Sequence, residues 1–365
     1  MDMNKYLFGA KFFFRFKSGL PPVPRDVTIM PTLRCNLRCS MCTWTHEPEH
    51  KELSFEEIIK ILEDLKELGV RVVRYTGGGE PLVFPRFIDL MKTTKEMGFF
   101  GHLTTNGLLL TEDRTKEIVK MGWDRIVVSV DGWDADSYGR IRKNGGFEKL
   151  KQNILYLNKF KETQNTSKPV LELATVVMSE NYRFLDKMVD VCKEWNVQEI
   201  SFNPIIDYGL SDIDKELFLR DELLEQVVQS LYLINKKAEQ AEVATNIPAI
   251  LRNGLESIRR KITVKACYQP WLSALIFPSG KVAPCCYLHD CEIGDIREES
   301  FQQIWRGEKY TKLREDFQRG KFLSGCTLCD PSIVAMQEKI HEVLSHPVKA
   351  SAKIRDIMQK VVSFK

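Results

Sequence analysis

Residues 35–42 read Cys35-Asn-Leu-Arg-Cys39-Ser-Met-Cys42, three cysteines in C-x3-C-x2-C spacing. Three thiolates on one short loop can hold three irons of a cubic iron–sulfur cluster. The fourth iron is then open to a small molecule, whereas the usual four-cysteine ligation leaves no vacancy. Zinc is the alternative occupant. Structural zinc takes four ligands, and no fourth Cys or His stands at finger spacing, although His46 and His50 are near.

Outward from this loop, residues 26–205 alternate short β-branched runs with amphipathic helices. Val27-Thr-Ile-Met30 reads as a strand ending just before the cysteines. Ser54-Phe-Glu-Glu57 is a capping box, and Ile58, Ile61, Leu62, Leu65 and Leu68 follow at helical spacing until Gly69 stops the helix. Further strands are expected at Val70–Tyr75, through Leu103, at Ile126–Val130, Leu171–Met178 and Glu199–Phe202. Helices are expected at Pro85–Met97, Glu112–Met121, Phe147–Lys161 and Phe184–Trp195. Strands alternating with helices predict a parallel sheet with helical crossovers, and six such units predict an α/β fold of the partial (β/α)6 TIM-like barrel type. Active sites of such folds sit at the C-terminal ends of the strands. Thr76-Gly-Gly-Gly-Glu80-Pro81, Thr104-Thr-Asn106-Gly107 and Asp131-Gly132 occupy such ends. Gly77–Gly79 could instead cradle a phosphate, but the Lys-Ser/Thr ending of a phosphate loop is absent.

Composition fits this reading. The chain has 365 residues, 43% of them hydrophobic, with a net charge of +3. That charge offers nothing for nucleic acid to hold, and no apolar run is long enough to span a membrane. The aromatic-basic stretch Lys5–Lys17 lacks a small-residue cleavage site and is a poor signal peptide. It is expected to pack on the main domain, the alternative being an interfacial helix against a membrane. Ten cysteines in a large chain without an export signal point to metal binding in a reducing cytoplasm rather than to disulfides. The expected division is an N-terminal segment 1–25, the barrel 26–205, a charged helical connector 206–264 without strands, a small cysteine-bearing domain 265–335 and a helical tail 336–365. Within the connector, Leu217–Lys236 reads as one long helix.

The triplet after strand one, followed by Gly78-Gly79-Glu80 after strand two, resembles the radical S-adenosylmethionine enzymes over roughly residues 26–205. The resemblance implies that Cys35, Cys39 and Cys42 ligate a [4Fe-4S] cluster whose open iron takes S-adenosylmethionine. Gly78, Gly79 and Glu80 would receive the methionine amino group, since glycine lets the backbone approach and a carboxylate or carbonyl accepts from an ammonium. Ser129 and Asp131 would contact the ribose or the methionine carboxylate, with Asn106 in the wall. The residue before the third cysteine is usually aromatic in this family; here it is Met41, whose thioether can pack on adenine.

A second set, Cys267-x12-Gly280-x4-Cys285 and then Cys326-x2-Cys329, resembles the C-terminal SPASM or twitch extension of the same superfamily. Gly280 would turn a short hairpin between Leu275–Phe277 and Lys281–Ala283. The resemblance implies one auxiliary [4Fe-4S] cluster on Cys267, Cys285, Cys326 and Cys329, with Cys286 and Cys291 as rivals and zinc on the same four thiolates as the alternative. Cys192, in a helix with Val189 and Trp195, reads as core. The implied reaction is reductive cleavage of S-adenosylmethionine to a 5′-deoxyadenosyl radical and hydrogen abstraction from a substrate. An electron outlet suits two-electron oxidation of a small sugar- or cyclitol-like molecule by a radical oxidoreductase served by a flavodoxin- or ferredoxin-type donor. Maturation of a precursor peptide is the alternative, and a metal-binding scaffold without radical chemistry is the alternative of another class. Asp207, Tyr208 and Tyr268 are candidate bases.

Overall fold

A computed structural model of the protein describes residues 23–44, 51–206, 213–252, 258 and 263–345. Lys5–Lys17, His46, His50, Asp207, Tyr208 and residues 346–365 lie outside the described residues.

The first half runs β1 (Asp26–Ile29), β2 (Arg38–Cys39), α1 (Phe55–Leu68), β3 (Val72–Tyr75), α2 (Phe87–Glu96), β4 (Phe100–Thr105), α3 (Glu112–Lys120) and β5 (Arg125–Ser129). There follow α4 (Ala135–Ile141), β6 (Arg142–Lys143), α5 (Phe147–Thr163), β7 (Val170–Val177), α6 (Asp186–Glu194) and β8 (Glu199–Pro204). Strands β1, β3, β4, β5, β7 and β8 lie side by side in that order, each parallel to the next. These are the six strands of the expected open barrel. Its helices form for local reasons. In α1 the Glu57 amide donates to Ser54 Oγ at 3.2 Å and the Ser54 amide to Glu57 Oε2 at 2.7 Å, and Gly69 ends the helix at φ +89°. The helix buries Ile58, Ile61, Leu62, Leu65 and Leu68. Truncating one of these, such as Leu62→Ala, costs roughly 2–5 kcal/mol.

The remainder contains α7 (Asp221–Gln240), β9 (Ala244–Thr245), α8 (Ile247–Arg252), α9 (Gln269–Leu272), β10 (Ser273–Ile276), β11 (Lys281–Ala283), β12 (Gly294–Asp295), α10 (Phe301–Arg306), α11 (Glu308–Gln318) and α12 (Pro331–Ser345). The expected hairpin is present, turned at Gly280 with φ +94°. It does not stand apart from the barrel. β10 pairs in parallel with β1, Asp26 opposite Ser273 and Ile29 opposite Ile276, so the hairpin prolongs the barrel sheet. Three details depart from the sequence reading. The long connector helix starts at Asp221, with Leu217 in a 3-10 turn. The connector contains a strand, β9, whose two residues are too few to show alternation, added beside β8. Helix α12 runs unbroken across residue 335.

Along the barrel strands the outward residues, such as Val73, Tyr75, Leu103 and Phe202, are fully buried under the helices. Several inward positions are polar and half-buried, among them Thr28, Arg74, His102, Thr104, Glu172 and Asn203, and they alternate with apolar Val72, Ala174 and Val176. Closed barrels of this kind fill their interior with branched apolar side chains. This interior instead mixes polar and apolar side chains around open space. Among the described residues no helix is long and apolar enough to cross a membrane.

Candidate functional site

At the C-terminal ends of the strands lies a cavity of about 410 Å³ lined by Cys35, Cys39 and Cys42, by Thr76–Glu80, and by Asn106, Ser129 and Arg142. Its cysteine loop and glycine loop are held edge to edge. The Gly79 amide donates to the Thr32 carbonyl at 3.1 Å and the Glu80 amide to the Arg34 carbonyl at 2.9 Å. A Cβ on Gly79 would stand 2.2 Å from the Arg34 carbonyl oxygen and 2.5 Å from the Leu33 carbonyl carbon. Glycine is required there because two backbones meet.

Glu80 is buried, and burial pushes its carboxyl above the ordinary range. It accepts from the Thr105 hydroxyl at 2.6 Å, the Leu82 amide at 3.1 Å and the Asn106 amide at 2.7 Å. Among the described residues Oε2 takes only the Asn106 amide, and a carboxylate oxygen has room for a second donor. Asn106 reaches back to the cysteine loop, its Nδ2 donating to Asn36 Oδ1 at 2.8 Å. Met41 lines the same cavity and packs with the apolar group of Ile141, Met178 and Ile205.

Asp131 does not face the cavity. Strand β5 ends at Ser129, so strand alternation does not carry on to Asp131. Its carboxylate is sealed in: Oδ2 takes Arg142 Nε and Nη2, both at 2.6 Å, and Oδ1 takes the Val176 amide at 2.7 Å. Asp131 thereby positions Arg142, which does line the cavity. The sequence reading missed Arg142, because what places it is a two-residue ribbon in which Cys39 stands opposite Arg142. Burial raises all three thiols, Cys39 to about 11, while the Arg142 guanidinium pulls each of them back down. Metal ligation requires the thiolate, and Arg142 is the nearby charge that favours it at all three cysteines, joined by Arg38 at Cys35 and Cys42.

A second cavity, of about 330 Å³, is lined by Cys267, Cys285, Cys286, Cys326 and Cys329. The structure thus brings the four expected cysteines together and adds Cys286, while Cys291 lies outside the lining. Burial raises Cys267 to about 12 and Cys285 well above its ordinary value. Cys192 is fully buried in the core. The Tyr268 hydroxyl pairs with His341 Nδ1 at 2.8 Å, and Tyr268 lines neither cavity. Thr76 and Tyr287 line both, so the two cysteine cavities are neighbours.

The residues present suit iron–sulfur groups. Each cavity presents soft thiol donors, which select such clusters. The first cavity adds a glycine-rich loop and the buried cation Arg142.

Comparison with known proteins agrees. The radical SAM superfamily model matches residues 29–169, and the SPASM iron–sulfur cluster-binding domain matches residues 267–330. The chain is similar to the tungsten-containing aldehyde ferredoxin oxidoreductase cofactor-modifying protein of Pyrococcus furiosus, at 28% identity over 82% of this chain and 85% of that one. It is also similar to an AdoMet-dependent heme synthase of Methanosarcina barkeri, at 26% identity over 84% and 88%. Its fold is that of Streptococcus suis SuiB, whose structure was solved with the precursor peptide SuiA, with a TM-score of 0.65 at 16% identity over 88% of this chain and 72% of that one. The chain belongs to the radical S-adenosylmethionine superfamily, whose members use a [4Fe-4S] cluster and S-adenosylmethionine, and it carries a C-terminal SPASM iron–sulfur cluster-binding domain.

Proposed function

We propose that this enzyme oxidises, by two electrons, a small polar molecule of sugar- or cyclitol-like character held in the barrel interior. One observation carries the reading: Thr76 and Tyr287 line both cysteine cavities, so a molecule between them faces both. When bound, the two clusters and S-adenosylmethionine supply a 5′-deoxyadenosyl radical that takes a hydrogen atom and an acceptor for the remaining electron, with a proton released.

The protein's own residues bind and orient. Cys35, Cys39 and Cys42 would hold the open-iron cluster, and Cys267, Cys285, Cys326 and Cys329 the auxiliary one. Arg142, fixed by Asp131, would pair with the carboxylate of S-adenosylmethionine through its free edge. The loop Gly78–Glu80 would accept from its ammonium, with Met41, Asn106 and Ser129 completing the wall. The polar inward positions of the strands would hold the substrate. A flavodoxin- or ferredoxin-type protein would supply the electron.

Anaerobic reconstitution tests this. Two cubic clusters require about eight irons per chain, and dithionite with S-adenosylmethionine should yield 5′-deoxyadenosine. Four irons with zinc removes the auxiliary cluster, and no 5′-deoxyadenosine sinks the radical reaction.

A further inference from the structure

Helix α12 follows the matched SPASM residues 267–330 and walls the second cavity, which Ile333, Val334, Met336 and Gln337 of this helix line. Three of these are apolar. Gln337 is not, and it is only 1% exposed. Its Oε1 accepts from the Tyr268 amide at 2.7 Å, one residue after Cys267. A backbone N–H only donates, so this contact fixes which end of the side-chain amide is oxygen, and the other end, Nε2, carries two hydrogens. Among the described residues Nε2 is buried and has no hydrogen-bond partner.

A buried donor without a partner is destabilising, and folded proteins keep few of them. In the same part of the chain the Tyr310 hydroxyl, Arg314 Nη2 and Ser332 Oγ are also buried and unpartnered among the described residues, but none of those residues lines the cavity. Among the described residues Gln337 alone brings such a donor to the cavity wall. The same wall carries Cys267, Cys285, Cys326 and Cys329, the thiols expected to hold the auxiliary cluster. Such a cluster brings sulfur acceptors to this wall.

We propose that Gln337 Nε2 donates a hydrogen bond to a sulfur of the auxiliary cluster and so raises its reduction potential. Reduction adds negative charge that spreads onto the sulfurs, and a donor there favours the reduced form. In the proposed oxidation this cluster takes one electron from the substrate radical, and a higher potential makes it the better acceptor. The four thiolates hold the cluster; Gln337 tunes it, and its oxygen ties α12 to the backbone beside Cys267. The inference rests on the second cavity holding an iron–sulfur cluster.

Redox titration of the reconstituted full-length protein, followed by EPR on the signal that added S-adenosylmethionine does not move, tests it. Gln337→Met keeps the length of the side chain and removes the donor. It should retain about eight irons per chain and lower the one-electron reduction equilibrium of that cluster about tenfold, the scale of one hydrogen bond to a charged group, which is about 59 mV. Gln337→Glu keeps an oxygen for the Tyr268 amide and should lower the equilibrium at least as far, because a carboxylate beside the cluster repels the incoming electron. An unchanged potential in both variants with the iron intact overturns the proposal. Loss of the auxiliary iron in both overturns it too, by making Gln337 a structural support. If Gln337→Met alone loses the iron, the potential of Gln337→Glu decides. Four irons with zinc in the wild type removes the auxiliary cluster itself, whereas eight irons with unmoved potentials removes only the role of Gln337.

Discussion

Gly79→Ala should break the junction that holds the cysteine loop against the glycine loop. The new Cβ would stand 2.2 Å from the Arg34 carbonyl oxygen and 2.5 Å from the Leu33 carbonyl carbon. Ordinary contact begins near 3.4 Å, so one backbone must retreat by about 1 Å. Both are backbone atoms, and no rotamer change relieves the clash. A retreat of that size stretches the Gly79-to-Thr32 and Glu80-to-Arg34 bonds, now 3.1 and 2.9 Å, beyond hydrogen-bonding range. Two net hydrogen bonds at about 1 kcal/mol each give a loss of about 2 kcal/mol, a fall in Tm of a few degrees for a chain this long. Arg34 adjoins Cys35, so the first cluster should suffer more than the fold does. Gly139→Ala is the matched control. Its Cβ meets nothing within 4 Å, and it lies inside α4, where alanine favours the helix by up to about 1 kcal/mol. The assay is thermal unfolding together with iron content and calorimetric binding of S-adenosylmethionine. If Gly79→Ala keeps full iron, normal S-adenosylmethionine affinity and the Tm of the control, the close-approach argument fails.

Cys285→Ser should remove the auxiliary iron, about four of eight atoms, while Cys286→Ser should keep it; iron analysis showing the reverse would exchange their roles. The Cys35/Cys39/Cys42 triple alanine variant should keep only the auxiliary iron by the same measure. Arg142→Ala should cost roughly 3–5 kcal/mol, because it strands the buried Asp131 carboxylate. Arg142→Lys should fold yet bind S-adenosylmethionine about tenfold more weakly, and unchanged affinity would refute its carboxylate role. His102 is held below its ordinary value by burial, so near pH 6.5 the unfolded chain takes up a proton that the folded chain refuses. Stability should therefore fall as pH drops below about 6.5, by at most about 1.4 kcal/mol per pH unit, and level off above it. Urea midpoints at pH 5.5 and 7.5 should show this difference in the wild type and lose it in His102→Gln.

What the chain's local chemistry specifies was legible without the structure. The capping box at Ser54, the helix stop at Gly69, the hairpin turn at Gly280 and the alternation in the strands each act over a few residues. The six barrel strands and most of their helices accordingly stand within a few positions of where periodicity places them. Boundaries went astray where the signal is short: β9 and the β2–β6 ribbon have two residues per strand. Cys286 gained a place beside Cys285 because a turn at residues 286–288 lets both line the cavity.

The sequence by itself determined the two cysteine sets, the Gly-Gly-Glu loop and the order of strands and helices, because spacing and side-chain type within a short window decide them. Only the tertiary structure decided which charges meet. Arg142 reaches the cysteine loop through the ribbon that sets it opposite Cys39, Asp131 turns away from the cavity to hold it, and Arg74 meets His102 across two strands. It also decided that the auxiliary hairpin joins β1 and that both cysteine cavities border Thr76 and Tyr287. Sheet register and burial create these pairings, and they act between residues that nothing in the local sequence connects.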